Sequence, residues 1–193
     1  KLLKGLLQLK RCELIHADMK PDNMLLAKER TVIKIGDLGS ALELHEQEFK
    51  PYLVSRFYRA PEIILGLPLT YALDIFSLGC CIYEFATGKL LLQSRDNNHH
   101  LHCIMQITGA PSKKFLAKCF ASHEHFDVNG QFLEKSRDVA TQQIILRKLK
   151  VAATRTVKTE LEAAFGSGES EEMVSHLADL IMQCVTFDPT TRI

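Results

Sequence analysis

The sequence has no excess of charge of either sign, no paired-cysteine motif and no apolar run long enough to cross a bilayer, about 18 residues or more. Each absence closes a class of function. Without a long apolar run there is no candidate membrane span or secretory leader; the most apolar window, Ala72 to Ala86, is too short and carries Asp74 and Glu84. A net charge of +1, from 24 basic and 23 acidic residues, argues against direct grip on nucleic acid or an anionic membrane. The six cysteines (Cys12, Cys80, Cys81, Cys103, Cys119, Cys184) show no Cys-x-x-Cys spacing, so free thiols in a reducing compartment are expected. Five of the eight histidines fall between His99 and His125 with no second ligand cluster, which reads as a solvated helix face. What is present, 46% hydrophobic and 24% charged residues in 193, suits one globular domain with a sizeable core. The chain opens at Lys1, without a methionine and already inside a helical pattern, as expected of a piece of a longer protein.

Periodicity divides the chain. Leu2, Leu3, Leu6, Leu7 and Leu9 recur at helical spacing and predict a helix to about Cys12. Met24-Leu25-Leu26 and Thr31 to Ile35, around the polar turn Lys28-Glu29-Arg30, predict a β-hairpin. Ser40 to Tyr58 is polar and patternless, a long loop. Pro61 opens a short helix that stops near Gly66. Ala72 to Thr87, apolar on every side, predicts a helix buried all round and capped by Gly88. Further helices are expected over Asn97 to Ile107 and Met173 to Val185. Between them, Ala110 to Ser170 is mixed, with Gly166-Ser167-Gly168 as the clearest linker.

The chemistry concentrates in His16-x-Asp18-x-Lys20-x-x-Asn23. Phosphoryl transfer needs a carboxylate to orient a hydroxyl, a cation near the transferred group and oxygen ligands for Mg²⁺. Asp18, Lys20 and Asn23 are residues of those three kinds, although the same stretch alone also suits a polar turn. Asp37-Leu38-Gly39 follows 14 residues after Asn23, directly past the second strand, and its carboxylate could chelate the same ion. Asp-x-Gly is also a common turn. Ala60-Pro61-Glu62 comes 23 residues later. Asp74 lies within the buried helix, where it needs donors; the backbone of the Asp18 loop could supply them. Arg192 is a candidate partner for Glu62.

In order and spacing, HxDxKPxN, DxG, APE, DxxSxG and a late Arg resemble the signature set of eukaryotic protein kinases. The likeness covers the whole chain. It implies a kinase-like C-terminal lobe, mainly α with a small β-hairpin, from helix E to just before helix I, with the N-terminal lobe absent. Residues 14–23 correspond to the catalytic loop, 37–62 to the activation segment and about 95–170 to an insert typical of the CMGC group. That group is indicated by Ser55-Arg56-Phe57-Tyr58-Arg59-Ala60-Pro61-Glu62. Within it, Leu9 to Cys12, His16 to Asn23, Gly39-Ser40-Ala41 and Pro51 to Tyr58 resemble the spliceosomal pre-mRNA-processing kinases; a DYRK or CLK type is the alternative.

The resemblance implies ATP and Mg²⁺ as cofactors, with Asp18 and Lys20 catalytic, Asn23 and Asp37 on the metal, and Leu25 and Gly36 on the floor of the nucleotide site. It implies protein substrates, Arg/Ser-rich splicing factors among them, and a nuclear location. Two departures stand out. Ala17 replaces the arginine that commonly clamps a phosphothreonine, and Lys50 cannot be phosphorylated; Tyr52, four and seven residues before Arg56 and Arg59, is instead the expected phosphorylated residue. Leu38 replaces the usual Phe without touching Asp37. The glycine-rich loop, the strand lysine and the helix-C glutamate are missing. Alone, these residues are therefore expected to bind ATP poorly and transfer nothing; a scaffold or pseudokinase is the other reading if the chain is complete.

Overall fold

The computed structural model describes residues 1–28, 31–45, 49–138 and 141–193. Glu29 and Arg30 of the expected turn, and residues 46–48 of the expected loop, lie outside them.

Helix α1 (Leu2–Arg11) turns one stripe inward: Leu6 is buried, with Leu2 and Leu9 packed against the same cluster. Strand β1 (Leu14–Ile15) follows, then a 3₁₀ turn (Pro21–Asn23) and the antiparallel pair β2 (Met24–Leu26) and β3 (Ile33–Ile35). Strand β4 (Leu42–Glu43) returns to pair with β1, Ile15 against Leu42, so the loop between β1 and β2 is closed from below. The stretch from Ser40 to Tyr58 is therefore not patternless: it holds β4 and a 3₁₀ turn at Arg56–Tyr58. Two-residue pairing is too short to leave a periodicity, which is why the sequence reads as loop.

Helices α2 (Pro61–Leu65) and α3 (Ala72–Thr87) come next. Helix α3 is the axis of the core, with Leu73, Phe76 and Leu78 at 1% exposure or less. Each such side chain contributes about 1.5–3 kcal/mol by leaving water. Its last turn is less enclosed than the apolar sequence suggests, since Phe85 is half exposed. Helices α4 (Asn97–Thr108) and α5 (Lys113–Leu116) precede an antiparallel hairpin, β5 (Phe132–Arg137) and β6 (Ile144–Leu149). Helices α6 (Val157–Phe165) and α7 (Glu171–Cys184) close the fold.

At Gly79, α3 meets the end of α7 without a side chain between them; a Cβ there would stand 2.5 Å from Cys184 Cβ. The linker expected at Gly166-Ser167-Gly168 is part of the turn that folds α7 onto α6. The solvated-face reading of the histidines fails for His100 and His125, which are buried. His100 bonds Ser94 Oγ (2.8 Å) and Arg59 O (2.8 Å). Burial pushes both imidazoles down to about 4. Among the described residues no cluster suits a metal through His, Cys, Asp and Glu alone, all six cysteines are free, and no helix is long and apolar enough to cross a membrane.

Candidate active site

The loop between β1 and β2 is pinned from beneath by α3. His16 N–H donates to Asp74 Oδ2 (2.7 Å) and Ala17 N–H to Asp74 Oδ1 (3.0 Å). Burial raises the Asp74 carboxyl to about 6 even against those two donors. Ala17 takes a left-handed φ of 59°, which turns Asp18 outward. Asp18 N–H donates to His16 Nδ1 (3.2 Å), so Nε2 carries the proton and donates to Gly36 O (2.9 Å). One buried imidazole thereby joins the Asp18 loop to the segment that leads into Asp37.

Asp18 is surrounded by donors. Lys20 Nζ donates to Oδ2 at 2.6 Å; Ser55 donates to Oδ1 through Oγ at 2.7 Å and through N–H at 3.1 Å. Lys20 also reaches Ser55 Oγ at 3.2 Å. Burial alone would raise the Asp18 carboxyl, but the Lys20 ammonium and the Ser55 donors outweigh it and hold it below the ordinary carboxylate range. Lys20 is raised by its bond to Asp18. Asp18 is thus a carboxylate, and Lys20 a cation, at neutral pH. Ser55 was not singled out from the sequence; its signal was its place at the head of the Ser55 to Glu62 run.

Asn23 Nδ2 donates to Asp18 O (2.8 Å) and Oδ2 (3.3 Å). Both partners are acceptors, which fixes the amide and leaves Oδ1 available. Gly36 N–H donates to Asn23 O at 2.8 Å, which ties the segment leading into Asp37 to the Asn23 turn; a Cβ on Gly36 would press on Leu25 Cδ1 at 2.9 Å. Asp37, next in line, is exposed at a left-handed φ of 59°. An amide oxygen and a carboxylate, on segments joined by the Gly36 N–H to Asn23 O bond, are the hard oxygen donors that Mg²⁺ prefers, so these residues suit the ion by chemistry. Leu25, 57% exposed, offers an apolar floor beside them.

Downstream, Arg59 is buried and its donors are largely engaged. It donates to Tyr52 O (3.1 Å), Leu53 O (2.9 Å), Val54 O (2.7 and 3.2 Å) and Asn97 Oδ1 (2.5 Å). Those bonds hold Val54 at φ 68°, a conformation β-branched residues rarely adopt. Burial pulls the guanidinium down to about 10, still charged at neutral pH. Tyr52 is exposed, its ring 5.7 Å from the Arg59 guanidinium carbon, and Arg56 is exposed. At the far end, Arg192 donates to both oxygens of buried Glu62 (2.6 and 3.0 Å), and to Ala72 O and Thr186 O.

Against known sequences, the family described as "Protein kinase domain" matches residues 1–193. The chain belongs to the protein kinase family. Among curated kinases it is 40% identical to serine/threonine-protein kinase prp4 of Schizosaccharomyces pombe over 187 residues, 96% of this chain and 39% of that protein. It is 41% identical to serine/threonine-protein kinase prpf4B of Dictyostelium discoideum over 197 residues, all of this chain and 24% of that protein. The probable serine/threonine-protein kinase dyrk2 of Dictyostelium discoideum is 32% identical over 193 residues. This kinase chain therefore spans two fifths or less of the length of the curated relatives it matches. It falls in the CMGC group, beside the Prp4 type.

Proposed function

We propose that this chain is the phosphotransfer half of a serine/threonine protein kinase of the Prp4 type. The observation that carries the reading is the position of Asp18, a carboxylate held by Lys20 at 2.6 Å and Ser55 at 2.7 Å, two residues of the same loop away from Lys20 and five from the Asn23 amide. When bound, Mg²⁺–ATP supplies the phosphoryl group; Asn23 Oδ1 and Asp37 would hold the ion, and Leu25 would give the base an apolar contact. Asp18 takes the direction of a serine or threonine hydroxyl and accepts its proton, exchanging a Ser55 bond for the substrate's. Lys20 stays beside Asp18 as the cation that offsets negative charge on the group being moved.

The substrates, by the same resemblance, are Arg/Ser-rich splicing factors met in the nucleus. A phosphate on Tyr52 would bind exposed Arg56 and the remaining donor of Arg59, tightening a segment that Arg59 already anchors by its carbonyls. The exposed Leu25, Leu26 and Leu38 are the surface that an ATP-gripping lobe covers. Without that cover, residues 1–193 alone bind ATP·Mg²⁺ weakly and turn nothing over.

The test is Asp18→Asn and Asp37→Asn in the full-length enzyme, with ATP affinity measured beside turnover. Both lose about 10³-fold or more in kcat. Asp18→Asn keeps its affinity for Mg²⁺–ATP, whereas Asp37→Asn weakens it. More than a tenth of wild-type activity in either variant removes the assignment.

A further inference from the structure

The hairpin of β5 and β6 has one closed edge and one open edge. On β5, Leu133 N–H donates to His125 O (2.8 Å), Asn98 Nδ2 donates to Leu133 O (2.9 Å), and Lys135 N–H donates to Asn98 Oδ1 (2.8 Å). The buried Asn98 amide stands where a neighbouring strand would. Because Leu133 and Lys135 point their main chain away from β6, alternation gives the ladder to Phe132, Glu134 and Ser136, paired with Leu149, Arg147 and Ile145. Ile144, Leu146 and Lys148 must then turn their N–H and C=O groups to the outside. Among the described residues no hydrogen bond closes that edge.

Folded proteins commonly blunt such an edge with proline, a bulge, inward charges or a covering segment. Here it carries adjacent apolar side chains, Ile144 at 66%, Ile145 at 36% and Leu146 at 56% exposure. The charge beside it is mainly positive: residues 132–150 hold five cations against two carboxylates, in a chain whose net charge is only +1. Lys148 is neutralised by Asp127 at 2.8 Å; Lys135, Arg137, Arg147 and Lys150 make no ion pair among the described residues. By register, Lys135 and Arg137 share a sheet face with Leu146 and Ile144. A second copy of this chain would bring the same excess of cations against itself, which disfavours self-pairing.

The geometry points to β6 as a docking edge for an extended protein segment that alternates apolar and acidic residues, added as a third strand. The main chain of Ile144, Leu146 and Lys148 supplies the pairing, and Lys135 and Arg137, on one sheet face, select the acidic side chains. Lys135, Arg137 and Ile144 also line a groove of 670 Å³ together with Pro51 and Tyr52, so the docked segment lies beside the activation segment. The inference does not depend on phosphotransfer.

The probe is a dye-labelled peptide of about ten residues alternating glutamate and valine, long enough to span a strand, titrated into the full-length protein by fluorescence anisotropy. The same peptide N-methylated at alternate residues, and a lysine–valine counterpart, serve as controls. Saturable binding of the glutamate–valine peptide alone is expected. Leu146→Pro removes an outward N–H and no ladder bond, so it weakens binding about tenfold, the effect of one or two main-chain hydrogen bonds. The double change Lys135→Glu and Arg137→Glu does the same by charge. Circular dichroism and melting establish whether Leu146→Pro folds; if it does not, the N-methylated peptide and the charge reversal decide. No saturable binding, equal binding of the N-methylated peptide, or full affinity in every folded variant overturns the proposal. So does concentration-dependent self-association abolished by Leu146→Pro, which would give the edge to a second copy.

Discussion

Replacing Asp74 by alanine separates holding the Asp18 loop from holding the fold. The carboxylate, 3% exposed, accepts the His16 and Ala17 N–H groups at 2.7 and 3.0 Å. Removing it orphans two buried donors, at about 1–3 kcal/mol each. It also relieves a cost. A carboxyl raised from 3.8 to about 6 is penalised as an anion at neutral pH by roughly 3 kcal/mol. The two effects oppose, so at pH 7 the variant's stability changes by between about a 1 kcal/mol gain and a 3 kcal/mol loss. Activity has no such offset. Ala17 loses the bond that supports its φ of 59°, and Asp18, one residue on, loses its aim; a misplacement of about 1 Å costs on the order of 10²-fold in kcat. Urea unfolding and steady-state kinetics on the full-length enzyme provide the two readouts. A stability loss above about 5 kcal/mol, or kcat within about twofold of wild type, refutes this division of roles.

Arg192→Met leaves the Glu62 carboxylate buried and unpaired and destabilises the domain by about 3–5 kcal/mol, while the double variant Glu62→Gln with Arg192→Met recovers part of the loss; additive losses in denaturant melts would show that the pair is not coupled. Arg59→Lys cannot reproduce a fork that reaches three carbonyls and an amide, so proteolysis within residues 50–58 should quicken and the KM for peptide rise; unchanged cleavage counts against the anchor. His100 and His125 are neutral in the fold down to about pH 4 but bind protons near pH 6.5 when unfolded, so the stability they supply is complete above about 6.5 and is lost as pH falls toward 4. Asp74 works in the opposite direction, losing stability as pH rises from about 4 to 6, and His100→Asn should flatten only the histidine part of the stability–pH curve; an unaltered slope excludes it.

The elements with strong periods were legible. Helix α3 runs from Ala72 to Thr87 as its apolar run indicates, and the pairing of β2 with β3 follows from two short runs about a turn. The hairpin of β5 and β6 was not. Its strands interleave Glu134, Lys135, Arg147 and Lys148 with apolar residues, and its described turn residues include no glycine or proline, so neither period nor punctuation marks it. The motif residues of the candidate site stand out in the sequence by type and spacing, and the fold brings Asp18, Lys20 and Asn23 into one hydrogen-bonded group. Ser55 was hidden because its role arises only when the activation segment folds back across 37 positions onto Asp18. Asn97, which bonds both Arg59 and Pro51 O, was hidden in the same way.

The bond between Glu62 and Arg192 joins positions 130 residues apart. A ribosome adding roughly 5 to 20 residues per second needs about 7 to 26 s to supply the second partner after the first. Through that interval a nascent chain holds a carboxylate in a nearly apolar helix, Ile63, Ile64 and Leu65 around it, with no guanidinium yet made. Helix α2 cannot settle into the core at that stage. The newborn protein therefore offers a sticky, unfinished surface at Ile63 to Leu65, and a chaperone that shields those residues until synthesis passes Arg192 would govern how much folded protein is obtained.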